Sequence, residues 1–143
     1  MVPREQFYWS IMKGVYVLII SVSRNLSARV GAQGVMKFEK GTYAYVGSAQ
    51  NNLEKRIARH LGRVKKFWHI DYLLDSPEVT IRKVLTKEAM KTEECRIADL
   101  LCRKGSPILS FGCSDCKCKS HLVKIKSYEF LKERMQETVM GSA

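Results

Sequence analysis

The chain has 143 residues, 45% of them hydrophobic, which is enough for a single domain that spans residues 1–143 and has an apolar core. Its 25 lysines and arginines exceed its 14 acidic residues and give a formal net charge of +11, which favours nucleic acid as a partner, with simple solubility as the alternative. The longest apolar run, 15–20, is far shorter than the roughly 20 residues needed to cross a bilayer, and the N-terminus does not resemble a signal peptide, so we expect no membrane association.

The first part of the chain predicts strands. The run 14–22, rich in valine, isoleucine and tyrosine, predicts a buried strand, and the polar run 24–34 predicts a loop or a wide hairpin connection. Segments 35–38 and 42–46, separated by a short turn that ends in Gly41, predict a hairpin. These segments together indicate a compact antiparallel meander.

Helices dominate the remainder. Asn51 and Glu54 predict the start of a helix that ends near Leu61, before Gly62. The later predictions are a strand at 80–85, a helix at 88–103, a strand at 121–125 and a helical tail from Tyr128. Strands followed by helices, without βαβ alternation, predict an α+β fold in which a small antiparallel sheet of about three strands is flanked by helices. We expect its core at about 12–104 and an appended segment at 105–140.

The first helix predicts a basic face. At 100° per residue, one side carries Leu53, Ile57, Ala58 and Leu61, and the other side carries Arg56, Arg59, His60 and Arg63. An arginine fork beside an imidazole can hold a phosphate and assist a leaving oxygen. A solvated basic face is the alternative interpretation.

The second helix predicts an acidic site. Glu94 falls within an apolar stripe formed by Met90, Ile97, Ala98 and Leu101, whereas Glu93 lies nearer the edge of that stripe. A buried carboxylate is unfavourable unless a cation meets it. Glu94 is therefore either half of a structural ion pair, with Arg56 as its partner, or a ligand for a hard divalent cation such as Mg²⁺.

Two tyrosine segments make the pattern specific. Gly-Val-Tyr at 14–16 is followed by Tyr-Val-Gly-Ser-Ala at 45–49 and by Leu-Glu-Lys-Arg-x-x-Arg-His-Leu at 53–61. Either tyrosine segment alone fits strand packing. In this order the elements resemble the signature of the GIY-YIG nuclease family. The runs 67–74 and 111–122 resemble a small prokaryotic and archaeal branch of that family.

The resemblance implies a metal-dependent endonuclease that hydrolyses phosphodiester bonds, with DNA favoured over RNA as the substrate. Tyr16 and Tyr45 would line its active site, one of them helping to deprotonate or position the attacking water. Arg56 would stabilise charge on the phosphate, His60 would assist proton movement, and Glu94 would hold a single Mg²⁺ or Mn²⁺. The asparagine that many members carry beyond this acid has no clear equivalent here.

The alternative is a non-catalytic nucleic-acid-binding module that kept the fold. In either case the nucleic-acid contacts are expected from the second tyrosine motif and from the basic helix with the residues that follow it: Gly47, Ser48, Arg59, Arg63, Lys65 and Lys66. A separate protein partner that supplies specificity is also an expectation, because small domains of this kind often borrow it.

The cysteines point to a reducing compartment. Five is an odd number, and three fall within six residues, which is not typical of a secreted disulfide framework, so we expect a cytoplasmic protein. The pattern C-x2-C-x-C-x2-H is formed by Cys113, Cys116, Cys118 and His121. These residues form a Zn²⁺ site, free thiols in a loop near the active site, or a redox group, and a zinc-stabilised interaction domain is a further hypothesis.

Four other residues have structural alternatives. Cys95 and Cys102 lie two turns apart on the second helix, and the prediction for both is packing. His69 and Asp71 are either supporting or substrate contacts, or parts of a capped and packed turn beneath Trp68.

Overall fold

The computed structural model describes residues 13–49, 53–62, 69–109, 111–112 and 118–138. The protein is α+β, as predicted. Its elements in chain order are β1 (Gly14–Val22), β2 (Leu26–Arg29), a 3-10 turn (Gly31–Gln33), β3 (Val35–Phe38), β4 (Gly41–Ala49), α1 (Leu53–Leu61), α2 (His69–Leu74), β5 (Val79–Glu88), α3 (Thr92–Lys104), β6 (Ser106–Pro107), β7 (Leu122–Ile125), α4 (Glu129–Lys132) and β8 (Gln136–Thr138). Within these ranges no helix has the length and apolar character that crossing a membrane requires.

The main sheet has six strands in the order β6-β7-β4-β1-β5-β8, and every neighbouring pair is antiparallel. The prediction of about three strands was therefore wrong. A three-stranded sheet of β4, β1 and β5 would leave two long edges with unpaired backbone groups. The strands β7 and β8 cover those edges, so residues from both ends of the chain share one sheet.

The strand β1 lies at the centre of this sheet. It pairs along its whole length with β4 and β5, so that Gly14 faces Ala49 on one side and Glu88 on the other. Eight of its nine residues are buried, which agrees with the continuous apolar run. A side chain at Gly14 would place its Cβ 2.3 Å from the backbone oxygen of Lys87, so glycine is needed for this close pairing.

The predicted hairpin between 35–38 and 42–46 was wrong. The strand β3 pairs instead with β2, which lies in the run predicted to be a loop. Both edges of β4 are occupied by β1 and β7, so β3 needs another partner. The turn between β2 and β3 is possible because Gly31 and Gly34 adopt positive φ angles of 49° and 76°.

The helix boundaries agree with prediction in part. The helix α1 ends at Leu61, and the backbone N–H of Gly62 donates to the carbonyl of Ala58; the predicted cap at Asn51 lies outside the described residues. The helix α3 begins at Thr92 rather than at residue 88, because β5 extends to Glu88 along β1. The predicted helical tail was wrong beyond α4, where β8 pairs with β5.

Each face of the sheet has its own core. Alternate residues of β1 and β4 point to opposite faces. One core contains Tyr16, Leu18, Tyr43 and Tyr45 and is covered by residues of α1 and α2. The other contains Val15, Val17, Ala44 and Val46 and is covered by α3. The tyrosines and α3 therefore belong to opposite faces.

Candidate functional site

A tyrosine and a histidine from separate motifs meet on the α1 face of the sheet. The hydroxyl of Tyr16 lies 2.6 Å from Nε2 of His60, and both side chains are buried. The strand β1 supplies the tyrosine, and the last turn of α1 supplies the imidazole. The two predicted site residues are thus in direct contact.

This contact corrects the predicted orientation of α1. Ile57 and His60 are buried, whereas Ala58 is exposed and Leu61 is 43% exposed. His60 was predicted on the polar side because, at 100° per residue, it falls within the same arc of roughly 100° as Arg56, Arg59 and Arg63. The phenol of Tyr16 gives the ring a buried hydrogen-bond partner, so His60 faces the sheet with Ile57.

The second predicted tyrosine flanks the same imidazole. The ring of Tyr45 stands edge-on to His60 with centroids 6.1 Å apart, and edge-on to Phe111 at 6.3 Å. Gly47 faces Tyr16 across the β1–β4 pair, and a Cβ there would lie 2.4 Å from the Tyr16 hydroxyl. The absence of a side chain at Gly47 therefore leaves space for this hydroxyl. The sequence predicted Gly47 only as a nucleic-acid contact.

Burial keeps this cluster uncharged at neutral pH. Desolvation raises the pKa of Tyr16 and of Tyr45, although the Arg56 guanidinium acts in the opposite direction on both. Desolvation also lowers the pKa of His60 to about 4, and the positive charges of Arg59 and Arg56 add to that effect while Asp71 opposes it. The imidazole and both phenols are consequently neutral near pH 7.

Arg59 is held by an acidic residue of α2. Its two terminal nitrogens lie 2.9 and 3.0 Å from the two carboxylate oxygens of Asp71, a bidentate pair. The carboxylate is buried, and its Oδ1 lies 4.0 Å from Nδ1 of His60. The guanidinium that was predicted to contact nucleic acid is therefore engaged within the protein, and Asp71 contributes to the surroundings of His60.

His69 has a structural contact. Its Nδ1 accepts a hydrogen bond of 2.9 Å from the backbone N–H of Gly112, and its ring packs edge-on against Phe111. Gly112 has a positive φ of 74°, and a Cβ there would lie 3.2 Å from Cβ of His121. These contacts favour the packing interpretation of His69.

A cleft of about 250 Å³ opens beside the Arg59–Asp71 pair. It is bounded by the end of α1, by α2 and by the start of β5, and His60 forms part of its wall. Neither Ser48 nor Glu94 lines it. The cleft is therefore separate from Ser48 and Glu94.

Ser48 connects the basic helix to the acidic one. Its carbonyl accepts a hydrogen bond of 3.0 Å from Nη1 of Arg56, and its hydroxyl donates one of 2.5 Å to Oε1 of Glu94. It stands near the end of β4 and points toward the α3 face, whereas Gly47 before it points toward the α1 face. The arginine and the acid from opposite faces thus meet at one residue.

The second oxygen of Glu94 lies 2.8 Å from Nδ1 of His121. The histidine is buried, and the Glu94 side chain is 14% exposed. His121 reaches this position because its carbonyl accepts the N–H of Val46, next to the β4–β7 pairing. His121 was predicted only as a zinc ligand, and Arg56 was predicted as the ion-pair partner of Glu94.

The stripe predicted around Glu94 is partly correct. Ile97, Ala98 and Leu101 are buried, but Met90 precedes the helix and is 66% exposed. Glu93 forms an ion pair with Lys87 of β5 rather than entering the Glu94 cluster.

A group of metal-ligating side chains adjoins Glu94. The sulfurs of Cys95 and Cys118 and a ring nitrogen of His121 lie within 4.8 Å of one another. Cys95 was predicted to be a packing residue, and nothing local in the sequence linked it to 113–121. The other predicted members of the zinc and nucleic-acid sets lie outside the described residues: Arg63, Lys65, Lys66, Cys113 and Cys116.

Comparisons with known proteins place the chain in a family. No curated protein and no solved structure matches it. A family model matches residues 15–142, a span that holds every site residue described above. The chain belongs to the family described as domain of unknown function DUF123.

Proposed function

We propose that the protein is a metal-dependent endonuclease of the GIY-YIG type, which hydrolyses phosphodiester bonds in nucleic acid, with DNA favoured. One observation carries the proposal: Arg56 and Glu94, from separate helices on opposite faces, both bind Ser48 at the end of the second tyrosine motif. A purely structural ion pair would join the two side chains directly. Here Ser48 lies between the cation and the anion, and we infer that a phosphate binds beside it, in contact with both.

Arg56 is suited to hold the phosphate. Its side chain is half-buried, and a guanidinium presents several N–H donors in a plane, so the bond to Ser48 is compatible with a second acceptor. The formal net charge of +11 draws a polyanion toward the surface. Arg56 would neutralise charge that develops on the phosphate oxygens during cleavage.

The residues at Glu94 fit a hard divalent cation. Mg²⁺ and Mn²⁺ favour oxygen ligands and commonly bind proteins through one or two carboxylates together with phosphate and water. Glu94 supplies a partly exposed carboxylate, and the Ser48 hydroxyl beside it is a second oxygen. A cation held there would contribute positive charge to the scissile phosphate.

The buried cluster is better suited to positioning than to direct contact. Tyr16 and His60 have only 1% and 4% exposed surface, so neither reaches substrate in this conformation. Their hydrogen bond fixes α1 against β1 and so fixes Arg56, one turn before His60. The Tyr16 hydroxyl is already bound by His60, so we assign the orientation of the attacking water to Tyr45.

Cleavage of a nucleic-acid panel tests the proposal. Single-stranded, duplex and branched DNA and RNA are incubated with the purified chain, with and without Mn²⁺. We expect cleavage of at least one substrate that requires the metal. Binding that is unaffected by metal, without cleavage of any substrate, would instead support the non-catalytic module. Absence of binding at low salt would contradict both hypotheses.

A further inference from the structure

Two thiols and an imidazole lie close together beside Glu94. Cys95 lies near the start of α3, whereas Cys118 and His121 belong to the segment that leads into β7. Their sulfurs and a ring nitrogen all lie within 4.8 Å of one another. We propose that Cys95, Cys118 and His121 bind a zinc ion that fastens the start of α3 to this segment.

The spacing of these atoms is close to that of three of the four ligands in a tetrahedral zinc site. Bond lengths of about 2.3 Å to sulfur and about 2.0 Å to nitrogen place tetrahedral ligands roughly 3.6 to 3.8 Å apart. Side-chain rotations that bring these atoms together by about 1 Å are therefore sufficient. Two thiolates and an imidazole are soft to borderline ligands that select zinc over Mg²⁺, which prefers oxygen. This donor set is distinct from the oxygen ligands at Glu94.

The contact between Glu94 and His121 is a second, independent observation. Histidines that bind metals usually donate their other ring N–H to a carboxylate, which fixes the tautomer and the ring orientation. Nδ1 of His121 lies 2.8 Å from Oε2 of Glu94, so we assign Nε2 to the zinc ion. The ion would hold the ring, and the ring would hold the carboxylate that faces Ser48. The catalytic importance of holding this carboxylate rests on the proposed function, whereas zinc binding by the two cysteines and His121 does not.

This set differs from the four residues nominated by spacing alone. Cys95 joins Cys118 and His121 because α3 packs on the sheet beside β4 and β7. Cys102, two turns farther along α3, donates from its sulfur to the Ser120 carbonyl at 3.7 Å and is not part of the group. It therefore provides a matched control on the same helix.

Metal analysis of the full-length chain tests the site. We expect about one zinc per chain in the native protein and in Cys102→Ser, and at least a tenfold lower content in Cys95→Ser and in Cys118→Ser. Circular dichroism verifies that each variant is folded. A Cys95→Ser protein that keeps its zinc would overturn the assignment.

Measurements on the native chain do not depend on a variant folding. Cobalt substituted for zinc should give thiolate charge-transfer absorption and the visible bands of tetrahedral coordination. Peptide mapping after alkylation should show that a chelator exposes Cys95 and Cys118 together. Protection of Cys113 and Cys116 without protection of Cys95, or a Cys95–Cys118 disulfide, would overturn the proposal.

Zinc binding and nuclease activity are separable outcomes. One zinc at Cys95 without cleavage under any metal condition would sustain the site and reject the nuclease. If the native chain cleaves nucleic acid and the Cys95→Ser variant keeps its zinc, the nuclease proposal is sustained and the zinc site is rejected.

Discussion

The hydroxyl of Tyr16 and Nε2 of His60 lie 2.6 Å apart in the core, although 44 positions separate the two residues in the sequence. The bond joins the central strand to α1. It explains why an imidazole can be buried at the end of a basic helix, and it ties the placement of Arg56 to the first tyrosine motif.

Tyr16→Phe removes this hydroxyl and keeps the ring. We expect the free energy of unfolding to fall by about 1 to 2 kcal/mol, because one buried hydrogen bond is lost, and the cleavage rate to fall with it. Urea denaturation and the cleavage assay measure the two effects. Tyr43→Phe is the matched control: its phenol donates to the Glu39 carbonyl at 2.7 Å in the same core, and it should cost similar stability without affecting cleavage. Equal losses of activity would contradict the role given to Tyr16.

The low pKa of His60 predicts an acid-labile fold. The unfolded state binds a proton below pH 6.5, whereas the folded state resists it until about pH 4. Between these values the unfolded state binds more protons, so stability falls as the pH falls. The shift corresponds to about 3 kcal/mol once His60 is protonated in both states.

Urea denaturation at pH 7 and at pH 5 measures this dependence. His60→Gln should be less stable than the native protein at pH 7, and its free energy of unfolding should change less between pH 7 and pH 5. His69→Gln is the control, because burial also lowers the pKa of His69 but its ring is less buried than that of His60. In this variant most of the dependence of the unfolding free energy on pH should remain. An unchanged slope in His60→Gln would show that other groups cause the acid sensitivity.

Glu94→Gln removes the anionic oxygen and keeps the shape of the side chain. We expect cleavage to fall by at least about 10²-fold, because a neutral amide is a poor ligand for a hard cation. Thermal denaturation without divalent metal should show a folded protein, since Ser48 keeps an acceptor. Glu93→Gln is the control; its partner Lys87 is partly exposed, so both activity and stability should change little. A larger effect at Glu93 would transfer the metal site to that residue.

Arg59→Gln should act on stability rather than on binding. Loss of the bidentate pair leaves the Asp71 carboxylate buried, so we expect unfolding to become about 2 kcal/mol easier. The slope of log affinity against log salt for duplex DNA should not change. Arg63→Gln, by contrast, should lower that slope by about 0.9 if it contacts one phosphate. A slope reduced by Arg59→Gln at unchanged stability would return this arginine to the nucleic-acid interface.

Local patterns in the sequence were sufficient for several elements. The apolar run of β1 predicted a buried strand with the bounds that the structure has, and the end of α1 at Leu61 was also correct. A strand buried on both faces is continuously apolar, and a helix ends where a glycine follows its last turn, so both signals lie within a few residues. Tyr16, His60, Arg56 and Glu94 were predicted as site residues by a different route, the resemblance of the ordered motifs to the GIY-YIG signature.

Partners across the fold were decided by tertiary structure alone. The partner of β3 depends on which strand edges remain after β1 and β7 have paired with β4. The orientation of His60 depends on the buried hydroxyl of Tyr16, which comes from a distant strand. His121 reaches Glu94, and Cys95 reaches Cys118, because β7 pairs with β4 beneath α3. No periodicity within one segment contains that information. The sequence therefore indicates which residues are candidates for chemistry. The contacts that set their positions and pKa values form only when distant strands and helices pack together.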